Sequence, residues 1–373
     1  MSTLAVRLDN DGDVLLTGPA VRALAATDDV DMLAGPSGVG AARLLPGVRD
    51  VLLTDAPWSG YRPPPVDRDV LARLVDTLAA RRYDRAVVFT SFHQSPLPMA
   101  LLAKLAGIPY VAATCVDYPG SLLDLRHRRP DGLHEAEAAL DLARAAGAEP
   151  PPGDDGRLAV RRPLPDVTHL LPAGPTTPTH SPAGGPRPTE GAPATPGRLP
   201  AGETADLPYV VVHPWASVPA RATTPQHATA TTAALLEAGW EVVLTGGPGE
   251  QPLTPTPTAS DGRRAHDLTG RTTLAELAAV LAGAACVVVG NTGPAHLAAA
   301  VGTPVVSLFS PVVPAEGWAP YGVPVVVLGD QAAPCRGSRA RECPVPGHPC
   351  LTGIPPERVV AAVRSLVPQE VTV

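Results

Sequence analysis

Three features predict an α/β protein built from two Rossmann-like halves. The chain has 373 residues, against roughly 150 for one domain, which leaves length for two cores. Short apolar runs of strand length alternate with segments of helical period, the pattern of βαβ units on a parallel sheet. A proline-rich stretch interrupts the alternation, which then restarts.

In the first half, residues 4–8 form an apolar strand that runs into a turn at Asn10 to Gly12, and a helical pattern follows over 14–26. Residues 30–34, 48–54, 85–90 and 110–113 read as further strands, with helices over 71–81 and 98–106. Nine prolines fall between Pro172 and Pro200, with almost no large apolar residue among them. Such a segment cannot bury enough surface to offset its ordering entropy, so 172–207 is expected to be an extended linker or a disordered insertion. The second half restarts at 209–213, followed by a helix over 225–238 and a strand over 240–245. A Pro/Thr-rich loop spans 248–262, then a helix 274–282, a strand 285–289, a helix 295–301 and a strand 304–309. Pro355 and Pro356 suit the start of a last helix over 356–366. The domain reading is therefore 1–171, a linker 172–207, a second domain 208–355, and a C-terminal segment 356–373 that can pack back on the first domain.

Composition narrows the function classes. Apolar residues make up 45% and aromatics 3%, so alanine, valine and leucine must fill the cores. The net charge is −7 and Lys104 is the only lysine, leaving no basic stripe for nucleic-acid phosphates. No apolar run reaches 18 residues and residues 1–13 lack the pattern of a signal peptide, so a cytoplasmic protein without a transmembrane segment is expected. Five cysteines in a chain of this length do not make a disulfide framework. The spacing of Cys335, Cys343, His348 and Cys350 fits no common structural zinc pattern, and a free-thiol loop or an inducible disulfide is the expectation there.

Four strand ends carry candidate chemistry, because ligands of such sheets bind at the carboxyl ends of the strands. After the first strand stand Asp9, Asn10, Asp11, Gly12 and Asp13. Helix capping explains an aspartate there as readily as does a carboxylate that takes a proton from a substrate hydroxyl. Neither a dinucleotide fingerprint nor a Walker A loop is present. In the second half, His213 to Ser217 and Arg221 follow one strand, and an arginine there can pair with a phosphate. Gly246, Gly247 and Glu250 follow the next, where a carboxylate can hold ribose hydroxyls. Finally Gly290, Asn291, Thr292, Gly293 and His296 join an apolar strand to a helix whose free N–H groups suit an anion. Each signal has an ordinary turn or capping explanation; their order and spacing are the informative part.

Taken together, the segments RLDNDGDVLLTGPAVRAL, HPWASVPAR, LTGGPGE, the long stretch 267–311 and CPVPGHPCL resemble glycosyltransferase family 9, the heptosyltransferase family best known from lipopolysaccharide core assembly. The resemblance covers most of the chain except 172–207 and 114–166. It implies a GT-B fold, two Rossmann-like domains facing across a cleft, and transfer with inversion from a nucleotide-diphosphate sugar, ADP-heptose foremost. The acceptor would be a glycan, a lipid-linked compound or a small molecule with a hydroxyl group. Carried over, Asp13 is the general base, with Asn10 and Gly12 beside it on the acceptor side. Ser217, Arg221, Thr292 and Gly293 hold the donor diphosphate, and Glu250, Asn291 and His296 the ribose and sugar, with no cofactor and no metal required. The family commonly has Asp where Asn291 stands, which leaves the sugar open between heptose and a related hexose. It commonly has Lys near the diphosphate, where Arg221 keeps the charge. Arg126 to Arg129 and Arg161 to Arg162 are small basic clusters, and no basic or amphipathic docking face is evident. An acceptor other than anionic lipid A is expected on that ground. Two other readings share the architecture: a sugar-nucleotide epimerase, and a non-catalytic protein that binds nucleotide sugars.

Overall fold

A computed structural model describes residues 1–60, 62–91, 94–171 and 209–367; the linker expected over 172–207 lies outside them. The first half runs β1 (Ser2–Arg7), α1 (Asp11–Leu16), α2 (Gly18–Ala25), β2 (Asp29–Ala34), α3 (Val39–Leu44), β3 (Val48–Leu53), α4 (Arg68–Arg81), β4 (Arg85–Val88), α5 (Leu97–Leu105), β5 (Tyr110–Thr114), β6 (Leu125–His127) and α6 (Glu135–Ala145). The second runs β7 (Tyr209–His213), α7 (Pro225–Glu237), β8 (Glu241–Leu244), β9 (His266–Asp267), α8 (Leu274–Ala282) and β10 (Cys286–Gly290). It continues through α9 (Gly293–Val301), β11 (Val305–Leu308), α10 (Ala315–Trp318), β12 (Val325–Leu328), α11 (Pro349–Thr352) and α12 (Pro356–Leu366).

The strands form two sheets of six, ordered β3-β2-β1-β4-β5-β6 and β12-β11-β10-β7-β8-β9, and every pairing between them is parallel. Both follow the doubly wound order, so each has a switch point, between β1 and β4 and between β7 and β10, where the loops diverge and a crevice opens. The central strands are buried on both faces, as Leu4 to Val6 and Val287 to Val289 show, and accordingly read as apolar runs rather than alternating ones.

Two expectations are corrected. The helix read over 14–26 is broken at Thr17, which separates α1 from α2. Pro19 has no N–H to donate to the preceding turn, and it sits instead near the start of α2, where that donor is not needed. The terminal helix α12 packs on α7, β10, β11 and β12, in the second half. Val359, Val360 and Val363 form its apolar stripe and are buried in the core of that half, which a return to the first half would expose.

The halves meet through helices. α1 packs on α9 and α3 on α8, and one set of buried side chains runs from Val14, Leu15 and Leu45 to Leu277 and Leu297. Hydrogen bonds add to the apolar contact: the His134 ring pairs with the Ala319 carbonyl at 2.9 Å, and Tyr321 Oη donates to Glu137 at 3.3 Å. Among the described residues no helix is long and apolar enough to cross a membrane.

Leu297 is fully buried in the joint core, whereas Leu105 on α5 is 63% exposed. Leu297→Ala should cost about 2–5 kcal/mol through the lost contacts and the cavity left behind. Leu105→Ala should stay within about 0.5 kcal/mol. Urea unfolding of the two variants checks the contrast.

Candidate active site

The first wall of the crevice is made where β1 hands over to α1. Asn10 caps α1: its Oδ1 accepts from the amides of Gly12 and Asp13 at 3.0 and 3.4 Å. Its Nδ2 donates to Asp13 Oδ2 at 2.8 Å, so the cap also orients the carboxylate. The other oxygen of Asp13 lies 3.2 Å from Nη2 of Arg7. Asp11 turns away, accepting from the Ala41 amide at 2.9 Å, and so caps α3. Of the acidic run, Asp13 faces the crevice and Asp11 is structural.

Arg7 is 3% exposed. Its guanidinium lies 2.7 Å from Asp9, 3.2 Å from Asp13 and 4.0 Å from Glu135, and it donates to Ser91 Oγ at 2.8 Å. Burial works against its charge, and the three carboxylates more than restore it, so its pKa is raised. Burial pushes the Asp13 carboxyl up to about 6, against the pull of Arg7 and Arg221 and aided by the repulsion of Asp9 and Glu135. A carboxylate poised there is charged at neutral pH and can still accept a proton.

The second wall comes from the ends of β7 and β10. After β7 the chain makes a tight turn at Pro219–Arg221, pinned by the Ala220 amide on the Arg341 carbonyl at 2.9 Å. A side chain at Gly290 would sit 2.7 Å from the Arg221 carbonyl, so only glycine lets β10 end beneath that turn. Arg221 is largely withdrawn from solvent, its Nε has no hydrogen-bond partner, and burial lowers its pKa while Asp13 raises it. From β10 the chain passes through Asn291 and Thr292 into α9. Thr292 is the extended N-cap, yet its hydroxyl makes no capping bond. A Cβ at Gly12 would lie 3.0 Å from His296 and 3.2 Å from the Gly293 backbone, so the first turns of α1 and α9 approach closely for want of side chains. His296 is 5% exposed with Nδ1 unpartnered, and burial lowers its pKa to about 3. It offers a neutral imidazole.

These walls face each other across a narrow cleft. Asn10, Gly12, Asp13, Ser217, Arg221, Asn291, Thr292, Gly293 and His296 all line it, with Val313 and Trp318. Glu250, the remaining candidate, is not among them. Its carboxylate folds back onto its own turn and accepts from the Gly247 amide at 2.6 Å, because the turn after β8 leaves that donor unpaired beside it. Asn291 lines the cleft with its amide already engaged: Nδ2 donates to the Ser310 carbonyl and Oδ1 accepts from the Ser310 amide, both at 3.2 Å. Arg7, Glu135 and Trp318 escaped the sequence reading. An arginine inside an apolar strand is a signal, since a buried cation needs partners; nothing local marks Glu135.

The five cysteines are free thiols. Burial raises Cys350 to about 11, with Cys335 and Cys343 near enough to add to the shift. Among the described residues, no three His, Cys, Asp or Glu side chains are placed to hold a metal ion.

The model of glycosyltransferase family 9 (heptosyltransferase) matches residues 71–348, well over half of the chain. No curated protein matches the sequence. Among solved structures, E. coli ADP-heptose LPS heptosyltransferase II is 20% identical, over 99% of this chain and 99% of its own, with a TM-score of 0.65. The family 9 glycosyl transferase of Veillonella parvula DSM 2008 is 15% identical over 98% and 97%, with a TM-score of 0.69. E. coli heptosyltransferase WaaC, solved with ADP-2-deoxy-2-fluoro heptose, is 18% identical over 98% and 99%, with a TM-score of 0.61. At these identities the likeness is one of fold, and the fold is GT-B.

Removing the cation by Arg7→Gln leaves Asp9, Asp13 and Glu135 facing one another. Asp13, already lifted by burial, then titrates higher still in the folded chain. A carboxyl raised on folding favours the native state when protonated and opposes it once pH rises past its unfolded value. The penalty of the variant should therefore be small near pH 4 and reach roughly 3–5 kcal/mol by pH 8. Urea midpoints at the two pH values test this; a penalty that does not grow with pH refutes it.

Proposed function

The chain belongs to glycosyltransferase family 9, and from that membership we propose an inverting transferase that moves a sugar from a nucleotide-diphosphate donor to a hydroxyl acceptor. The observation that carries the proposal is the pairing of Asp13 and Arg221 on opposite walls of one cleft. Inversion needs a base on the acceptor face of the sugar and positive charge behind the leaving group. Asp13, with a pKa of about 6, takes the proton from the acceptor oxygen as that oxygen attacks the anomeric carbon. The bond from that carbon to the diphosphate breaks, and the electron pair leaves with the nucleotide. Arg221 neutralises the charge that develops, helped by the N–H groups of α9 and the hydroxyls of Thr292 and Ser217. Its Nε without a partner inside the protein supports this role, since a buried donor favours a site where a ligand completes it. The Arg221 guanidinium and these N–H and O–H donors take the part a metal would play, so transfer is proposed to be metal-independent.

ADP-heptose is the leading donor, in line with the fluoro-heptose complex of WaaC. The bound amide of Asn291 gives it a shaping role at the sugar end, which fits heptose or a related hexose. Glu250, bonded to its own turn, could reach a ribose only by releasing the Gly247 amide.

A thermal-shift screen of ADP-, GDP-, UDP- and dTDP-sugars tests the donor. A ligand at 100 Kd adds about 2.7 kcal/mol, and the ADP-sugar shift should survive EDTA. Loss of that shift on chelation would overturn metal independence, and no shift with any nucleotide sugar would overturn the donor site.

Transfer should rise with pH through about 6, as Asp13 loses its proton. Asp13→Asn should lower kcat by ~10²–10⁴-fold and abolish that rise while keeping donor binding. Full transfer by the variant would remove Asp13 as the base.

A further inference from the structure

Trp318 lines the cleft on one side and, on the other, a wider space of about 480 Å³ between the two halves. The first half contributes the ends of β5 and β6 and the loop 127–133; the second contributes Pro314 and α10. These strand ends belong to the same carboxyl edge of the first sheet that carries Asp13, so the space opens beside the proposed base.

Its chemistry differs from that of the cleft. Val116, 71% exposed, stands with Leu133, Pro130, Pro314 and Trp318 as an apolar wall. The basic residues that stand out in the sequence here are turned to structural work. Arg126 donates to the carbonyls of Cys115 and Val116. Arg129 binds Glu135 and donates to the Leu133 carbonyl. The His127 ring is held between Thr114 and Asp141. Arg128 is exposed, but Asp131 and Glu316 on the same rim oppose it. A phosphate entering the space would lose its water and meet as much negative charge as positive. An apolar body would lose only unfavourable hydration, and the volume suits a drug-sized molecule.

Resting on the transferase reading above, we propose that this space receives the acceptor, and that the acceptor is an uncharged hydroxyl compound with an aromatic or aliphatic body rather than a phosphorylated saccharide. Val116, Leu133 and Trp318 select it by shape and by the absence of net charge. Its hydroxyl reaches past Trp318 to Asp13.

The test uses 2-naphthol and 2-naphthyl phosphate, which share a ring system and differ by one phosphate. Each is titrated into the full chain by calorimetry with ADP saturating, so that the phosphate ester cannot report on the diphosphate subsite. Binding of 2-naphthol at least about tenfold tighter than its phosphate ester is expected. Val116→Asp should weaken 2-naphthol by about tenfold; its ADP affinity reports that the variant has folded. Equal or tighter binding of the phosphate ester, no binding of 2-naphthol, or indifference to Val116→Asp would each overturn the proposal. Failure of ADP to bind the wild-type chain would instead strike the nucleotide-sugar reading on which the proposal rests.

Discussion

Arg7 enters the core as the last residue of a central strand, and a guanidinium withdrawn from water stays there only among carboxylates. Asp9 comes from the loop after β1, Asp13 from α1 and Glu135 from α6. Satisfying one cation thus draws three elements to one point, and Arg129 extends the alternation of charge beyond Glu135. The arrangement sets the direction of the Asp13 carboxylate from one side while the Asn10 cap sets it from the other. What looks like a helix start with an acidic run is an anchored carboxylate with one open face.

The second wall depends on missing side chains and on backbone bonds. Gly290 lets Arg221 ride above the end of β10, and Gly12 lets α1 meet α9. Asn291 joins the ends of β10 and β11 by exchanging two hydrogen bonds with Ser310. That exchange needs a donor and an acceptor in one side chain. An aspartate in its place could not donate to the Ser310 carbonyl when ionised. The amide therefore braces the backbone at this corner, and the groups beside it that line the cleft are Thr292, with a hydroxyl free of capping, and His296, with an imidazole held neutral.

The two spaces that meet at Trp318 divide the chemistry. The narrower cleft concentrates charge and N–H donors; the wider space is apolar and balanced in charge. The cluster Arg126 to Arg129 reads in the sequence as a basic patch, yet Arg126 and Arg129 face carbonyls and a buried glutamate. Charge counted along the chain and charge available to a ligand are different quantities.

Much of this was legible in the sequence because it is local. Alternating apolar runs and helical periods mark most of the strands and helices of both sheets, though not α6 or β12, and the turn residues after β1, β7 and β10 mark the strand ends that line the candidate site. Their order along the chain points to the family. The short elements β6, β9 and α3 carry too few residues for a period to show. Whether α12 joins the first half or the second and which carboxylates surround Arg7 were settled only by the tertiary structure. Each of these is a choice among partners far apart in the chain. Burial and distance decide such choices, because a charge or an apolar stripe takes the partner that leaves least of it unpaired.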